Sequence, residues 1–256
     1  MSLNIMVKRV LFILLIVRFA SSELFDSLML SIEWPPSYCA QGNIKCHYPI
    51  KRIHGWNIHG LWPYKIHGND TFNCDGEPFN VNSLISIYEE LLLNWANLKN
   101  FSKPEKFWGY EWHKHGTCSI KDKLFSNEFG YFYHTLRLKK NISMKKLLSN
   151  HNILPNNDKA YNIQQIHNAI KVELGIIPML QCFQKQDNEW NLLSIGICFD
   201  RSMNLKDCQN VELPQSMGSI IGNLIKKIFL YLGAKKVITP IKDKCEGHDF
   251  KIPSFE

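Results

Sequence analysis

Eight cysteines constrain this chain more than any other feature: Cys39, Cys46, Cys74, Cys118, Cys182, Cys198, Cys208 and Cys245. The number is even, and none stand as the Cys-x-x-Cys pairs that structural zinc sites use. They read as disulfides formed in an oxidising compartment. Spacing alone allows about a hundred pairings, so it does not say which cysteine meets which.

The N-terminus supplies the compartment. Lys8 and Arg9 precede an apolar run from Val10 to Val17, followed by Ala20, Ser21 and Ser22. A basic start, a short apolar core and a small-residue end describe a secretory signal peptide over residues 1–22. The run is too short to span a bilayer, and no later segment is apolar enough to do so. The remaining chain, about 230 residues, suits one sizeable domain. No repeat, low-complexity tract or Pro/Gly/Ser-rich linker divides residues 23–256. Asn69, Asn100 and Asn141 stand in Asn-x-Ser/Thr sequons, which are glycan acceptors on a secreted chain. Net charge is +7. Three cations and no acid lie in the signal, which leaves about +4; this suits a polyanionic partner without requiring one.

Hydrophobic patterning gives a coarse map. Residues 28–32 (LMLSI) read as a buried strand ending at a Trp34-Pro35-Pro36 turn. A second strand spans Gly55 to Trp62 and is stopped by Pro63. Leu84, Ile87, Tyr88, Leu91, Leu92 and Trp95 recur at helical spacing, which predicts a helix over 83–98 capped by Asn82 or Ser83. Further helices are expected over 129–139 and 162–174, and a strand over 191–199. Strands scattered among helices without regular alternation argue for an α+β fold.

Two stretches carry chemistry. Residues 107–118 read FWGYEWHKHGTC. As a helix ending at a Gly116 C-cap, this segment lines up Phe107, Glu111 and His115 on one face, with Lys114 on the adjacent ridge. His113 points elsewhere. Histidines at i and i+2 on a helix do not share one ion, whereas i and i+4 do; metal binding is therefore the weaker reading. A carboxylate, a fixed cation and a group titrating near neutrality suit metal-free phosphoryl chemistry. The plain alternative is an exposed helix with an ordinary ion pair. Residues 55–64 read GWNIHGLWPY, placing His59 in an aromatic strand. A lone strand histidine is usually a satisfied core group. Here Gly60 opens the backbone, and Trp62 and Tyr64 offer flat surfaces to a base. Two histidines across a cleft can serve as base and acid, each worth about 10²–10⁴ in rate.

IHGLWP at 58–63 and EWHKHGTC at 111–118 resemble the two active-site segments of the ribonuclease T2 family. WPPSYC at 34–39, LLLNW at 91–95, Cys74 with Cys118, and the ICFD…DC segment at 197–208 extend the resemblance over roughly residues 24–208. It implies an endoribonuclease on an α+β fold, a central antiparallel sheet with packed helices in one disulfide-stapled domain. It also implies no metal or other cofactor. The ribose 2′-hydroxyl would attack phosphorus, a 2′,3′-cyclic phosphate would form, and the 5′-oxygen would leave. By position, His115 would be the general base and His59 the general acid, with Glu111 and Lys114 stabilising the phosphorane. Trp62 and Phe107 would line the base and active-site pocket. The implied disulfides are Cys39–Cys46, Cys74–Cys118 and Cys198–Cys208, leaving Cys182–Cys245.

Three departures stand out. Tyr110 replaces a histidine that helps hold substrate in many relatives, and it cannot carry a positive charge. Glu33 stands where glutamine is common, and an ionised carboxylate facing substrate would repel phosphate. Both predict weaker substrate binding with the chemistry retained. The missing histidine, basic charge and sequons resemble the plant S-RNases of pistil self-incompatibility, whose variable recognition segment would correspond to residues 65–90. Residues 209–244 form an atypical insertion. Ile221, Ile225, Ile228 and Leu232 fall at helical spacing, compatible with an added amphipathic helix, a membrane-surface segment or a transcript error. The expected partners are RNA and, in the self-incompatibility reading, pollen recognition proteins; the expected form is a secreted monomer. Competing readings are a defence or phosphate-scavenging ribonuclease, a catalytically dead recognition or storage homologue, and a metal-dependent hydrolase using His113 and His115.

Overall fold

The computed structural model describes residues 25–42, 44, 46, 53, 55–65, 71–208, 245 and 247–255. Residues 1–22, expected as a signal peptide, Asn69 and the stretch 209–244 lie outside the described residues. The described strands are β1 (Ser27–Glu33), β2 (Asn57–Tyr64), β3 (Asn156–Tyr161), β4 (Met179–Gln184), β5 (Trp190–Asp200), β6 (Leu205–Lys206) and β7 (Phe250–Ile252). They form one sheet in the order β2-β1-β5-β7-β3, with β4 and β6 also paired to β5. Pairing is antiparallel except between β5 and β7, which run parallel. The helices are α1 (Pro35–Cys39), α2 (Tyr88–Asn94), α3 (Pro104–Lys114), α4 (Glu128–Asn141), α5 (Met144–Asn150) and α6 (Ile163–Leu174), with 3₁₀ turns at Val81–Ile87 and Gly116–Ser119. This is the α+β, disulfide-stapled architecture that the sequence led us to expect. Among the described residues no helix is long and apolar enough to cross a membrane.

Every residue of β1 is buried. Its partner β5 is nearly so, because elements cover both faces of the sheet's middle. An aromatic core of Trp95, Trp108, Trp112, Tyr131 and Phe132 fills the space between the helices and β2. Four disulfides staple the domain: Cys39–Cys46, Cys74–Cys118, Cys182–Cys245 and Cys198–Cys208.

Local differences from the sequence map have identifiable causes. Trp34-Pro35-Pro36 opens a short helix, since proline is tolerated at the first helical positions. Pro63 does not end β2. The strand is terminal in the sheet order, where a missing N–H costs nothing. The helix expected over 83–98 begins as a 3₁₀ turn capped by Asn80 and ends at Asn94. The chain leaves the helix there because Trp95 is used twice: its Nε1 donates to the His59 carbonyl, and its own carbonyl accepts from Trp108 Nε1. Helix α3 ends at Lys114, and Gly116 opens a 3₁₀ turn instead of capping the helix. Glycine is needed at 116 because a Cβ would collide with the Trp112 ring.

Candidate active site

Strand β2 brings His59 to the site through a β-bulge. Opposite β1, Ser31 pairs with Gly60 and Ile32 with Ile58, so His59 has no partner in the register. In a regular strand, Ile58 and Leu61 would point to opposite faces. The bulge lets both enter the core fully buried. His59 and Trp62 then emerge together on the other side, their rings 5.2 Å apart and edge to face. Buried donors hold this backbone: Trp95 Nε1 to the His59 carbonyl at 2.9 Å, and Tyr131 OH to the Leu61 carbonyl at 2.8 Å.

Helix α3 supplies the other half. Trp108 and Trp112 anchor it in the core. Glu111 is buried beside them, and His115 follows the last helical residue. Its N–H donates to the Glu111 carbonyl, and its ring stacks on Trp62 with centroids 5.3 Å apart and planes at 27°. Trp62 therefore touches both imidazoles. Its Nε1 donates to Glu111 Oε2 at 3.0 Å. The other carboxylate oxygen faces His59 Nε2 at 3.8 Å. Gly60 makes this closeness possible, because a Cβ there would collide with Glu111 Oε2 and Trp62 Nε1.

Electrostatics separate the two histidines. Burial, with Lys114 and His59 adding repulsion, pushes His115 down to about 3. Its Nδ1 is buried without a hydrogen-bond partner. For His59, burial pulls downward but is outweighed by Glu33 and then Glu111, so its pKa lies above the ordinary 6.5 even though Lys114 opposes. Burial raises the Glu111 carboxyl, with His59, Trp62 and Lys114 acting against it. One imidazole is thus neutral at neutral pH while the other tends to keep its proton.

The remaining expected residues divide. Phe107 is half-buried with its ring 5.7 Å from His59. Tyr110 is exposed, and Lys114 Nζ lies 5.3 Å over its ring. His113 is exposed while His115 is buried, so the two do not face one ion. Asn100 and Asn141 are exposed. Glu33 corrects the sequence reading. It is buried at the end of β1 and pairs with His59 Nδ1 at 3.2 Å, so it stands behind the histidine instead of facing a phosphate. The expectation had the carboxylate face substrate, whereas every β1 side chain is covered. Asn57 was missed altogether. Its Nδ2 donates to Glu33 Oε1 at 2.9 Å, and its Oδ1 accepts from the Ala96 N–H. Its position two residues before His59 was the only available signal.

Comparison with known proteins places the chain among ribonucleases. Ribonuclease Oy of Magallana gigas is 34% identical over 188 residues, covering 72% of this chain and 87% of that protein. Extracellular ribonuclease LE of Solanum lycopersicum is 34% identical over 182 residues, covering 70% and 77% respectively. The solved structure of ribonuclease MC1 from bitter gourd seeds superposes with a TM-score of 0.65 at 30% identity, covering 72% of this chain and 95% of that one. The fold and these relatives are those of a T2-type endoribonuclease. The chain belongs to the ribonuclease T2 family, whose model matches residues 25–208.

Proposed function

We propose that this protein is a secreted endoribonuclease that cleaves single-stranded RNA by metal-free transesterification. His115, neutral over the physiological range, takes the proton of the ribose 2′-hydroxyl. The freed oxygen attacks phosphorus and closes a 2′,3′-cyclic phosphate. His59 gives its proton to the departing 5′-oxygen as the P–O bond breaks. Lys114 places a fixed cation beside the charge building on the phosphorane. Glu111 joins it by holding the charged His59 imidazolium beside the developing oxyanion. Trp62 and Phe107 line the pocket beside the reacting ribose. The need for a 2′-hydroxyl limits cleavage to RNA.

The observation carrying this reading is the opposite displacement of two imidazoles that share one tryptophan. The test is digestion of single-stranded RNA with a chelator present. The expected result is cyclic-phosphate product, lost by about 10²-fold or more in His59→Ala and in His115→Ala with the fold retained. Chelator-sensitive cleavage would favour a metal-dependent hydrolase. Undiminished cleavage by either variant would remove its assigned role.

The finer biological reading is an S-RNase-like self-incompatibility factor of the pistil, meeting pollen recognition proteins through residues 65–90. Its supports are Tyr110 in the histidine position, the basic charge and the sequons. A style-restricted transcript is expected. Induction in leaf or root by stress would instead point to a defence or phosphate-scavenging enzyme.

A further inference from the structure

We propose that Glu33 is the positioning residue for His59, holding it through Nδ1 so that Nε2 alone delivers the proton. This rests on the ribonuclease reading above and adds a residue to its acid. Glu33 Oε2 lies 3.2 Å from His59 Nδ1, and Glu33 Oε1 accepts from Asn57 Nδ2 at 2.9 Å. Asn57 is itself fully buried and pinned at both ends, since its Nδ2 also reaches the Ile58 and Ala96 carbonyls and its Oδ1 takes the Ala96 N–H. The carboxylate therefore cannot rotate away. Among the described residues its ion-pair partner is His59, and no lysine or arginine shares it. A carboxylate removed from water requires such a partner.

The chemistry follows from the two nitrogens. With Nδ1–H donated to Glu33, Nε2 is the atom left facing Glu111. Before transfer both nitrogens carry protons. Afterwards Nε2 has lost its proton to the 5′-oxygen and Nδ1–H stays on Glu33, so the ring need not turn between steps. The titratable groups around His59 are Glu33 from β1, and Glu111, Lys114 and the neutral His115 from α3 and its end. Glu33 is the closest of these to a ring nitrogen, and its charge opposes the burial that would otherwise favour neutral imidazole. A glutamine there fits the same space and keeps a hydrogen bond but removes the charge. Its amide can also donate to Nδ1, which would move the proton of the neutral ring to Nε2.

The test compares Glu33→Gln with the unmodified enzyme in RNA cleavage at pH 5 and pH 7. The expected kcat/KM loss is at least about tenfold at pH 7 and much smaller at pH 5, where the medium supplies the proton that Glu33 no longer retains. Glu33→Asp keeps the charge and should recover part of the pH 7 rate. Equal losses at both pH values would mean that Glu33 only supports the fold, and would overturn the proposal. In the unmodified enzyme, ¹⁵N chemical shifts of the His59 ring should show Nδ1 protonated above its titration. The Nε2–H tautomer would overturn the proposal even if Glu33→Gln does not fold. An unmodified enzyme that fails to cleave RNA would instead sink the ribonuclease reading.

Discussion

His59 and His115 start from the same side chain and diverge because their surroundings differ. His115 is stacked and buried with cationic neighbours, so it binds a proton only near pH 3. His59 is only half-buried, and two carboxylates outweigh what burial it has and hold its proton above the ordinary range. A reaction needing neutral His115 and protonated His59 should hold its rate through mildly acidic pH. It should fall as pH rises through the elevated pKa of His59. A kcat/KM profile checks this, because its limbs report the free enzyme; a rate still rising above pH 8 would reverse the roles. The histidines, Glu111 and Lys114 were legible in the sequence because their side chains are chemically distinctive and two motifs bracket them. Glu33 was visible but misread. Which way a carboxylate faces depends on whether its strand is covered, and that is a property of β5 and the helices, not of the residues beside it.

At the scale of elements, the β-bulge at His59 does what spacing could not announce. A period-two reading puts Ile58 and Leu61 on opposite faces, yet both are in the core. The extra residue turns His59 and Trp62 outward together and leaves only backbone at Gly60 beside the Glu111 carboxylate. Gly60→Ala would push against the buried Glu111 carboxylate and the stacked Trp62 ring. Its cost in stability should be about 1–3 kcal/mol, while cleavage falls tenfold or more. Melting temperature and kcat measured on the same sample separate the two; a large stability loss with little change in kcat would mean that the bulge serves folding alone. Helix α3 was read correctly as one face carrying Glu111 and His115. Its end was misplaced because Gly116 looked like a cap, while its real constraint is the Trp112 ring, a contact that cannot be inferred from a lone glycine.

Over the whole molecule, the sheet and the aromatic core set two independent pieces, β2 and the end of α3, against one tryptophan. The Cys74–Cys118 disulfide ties the segment before the Val81–Ile87 turn to the Gly116–Ser119 turn that follows α3, and Asn73 N–H adds a hydrogen bond to the Lys114 carbonyl. Replacing both cysteines by alanine should cost about 2–5 kcal/mol of stability, read by denaturant unfolding. An unchanged midpoint would mean that the core alone holds this corner. The α+β class was legible from scattered strands and helices, whereas the cysteine pairing was not legible from spacing, since contact between distant cysteines is decided by the tertiary fold. The central claim is a division of labour: His115 takes a proton from the 2′-oxygen and His59 gives one to the 5′-oxygen. The most direct measurement uses an RNA dinucleotide whose 5′-oxygen is replaced by sulfur, a leaving group that departs without a proton. His59→Ala should regain most of the unmodified enzyme's rate on this substrate, while His115→Ala stays inactive. Rescue of His115→Ala, or no rescue of His59→Ala, would contradict the account.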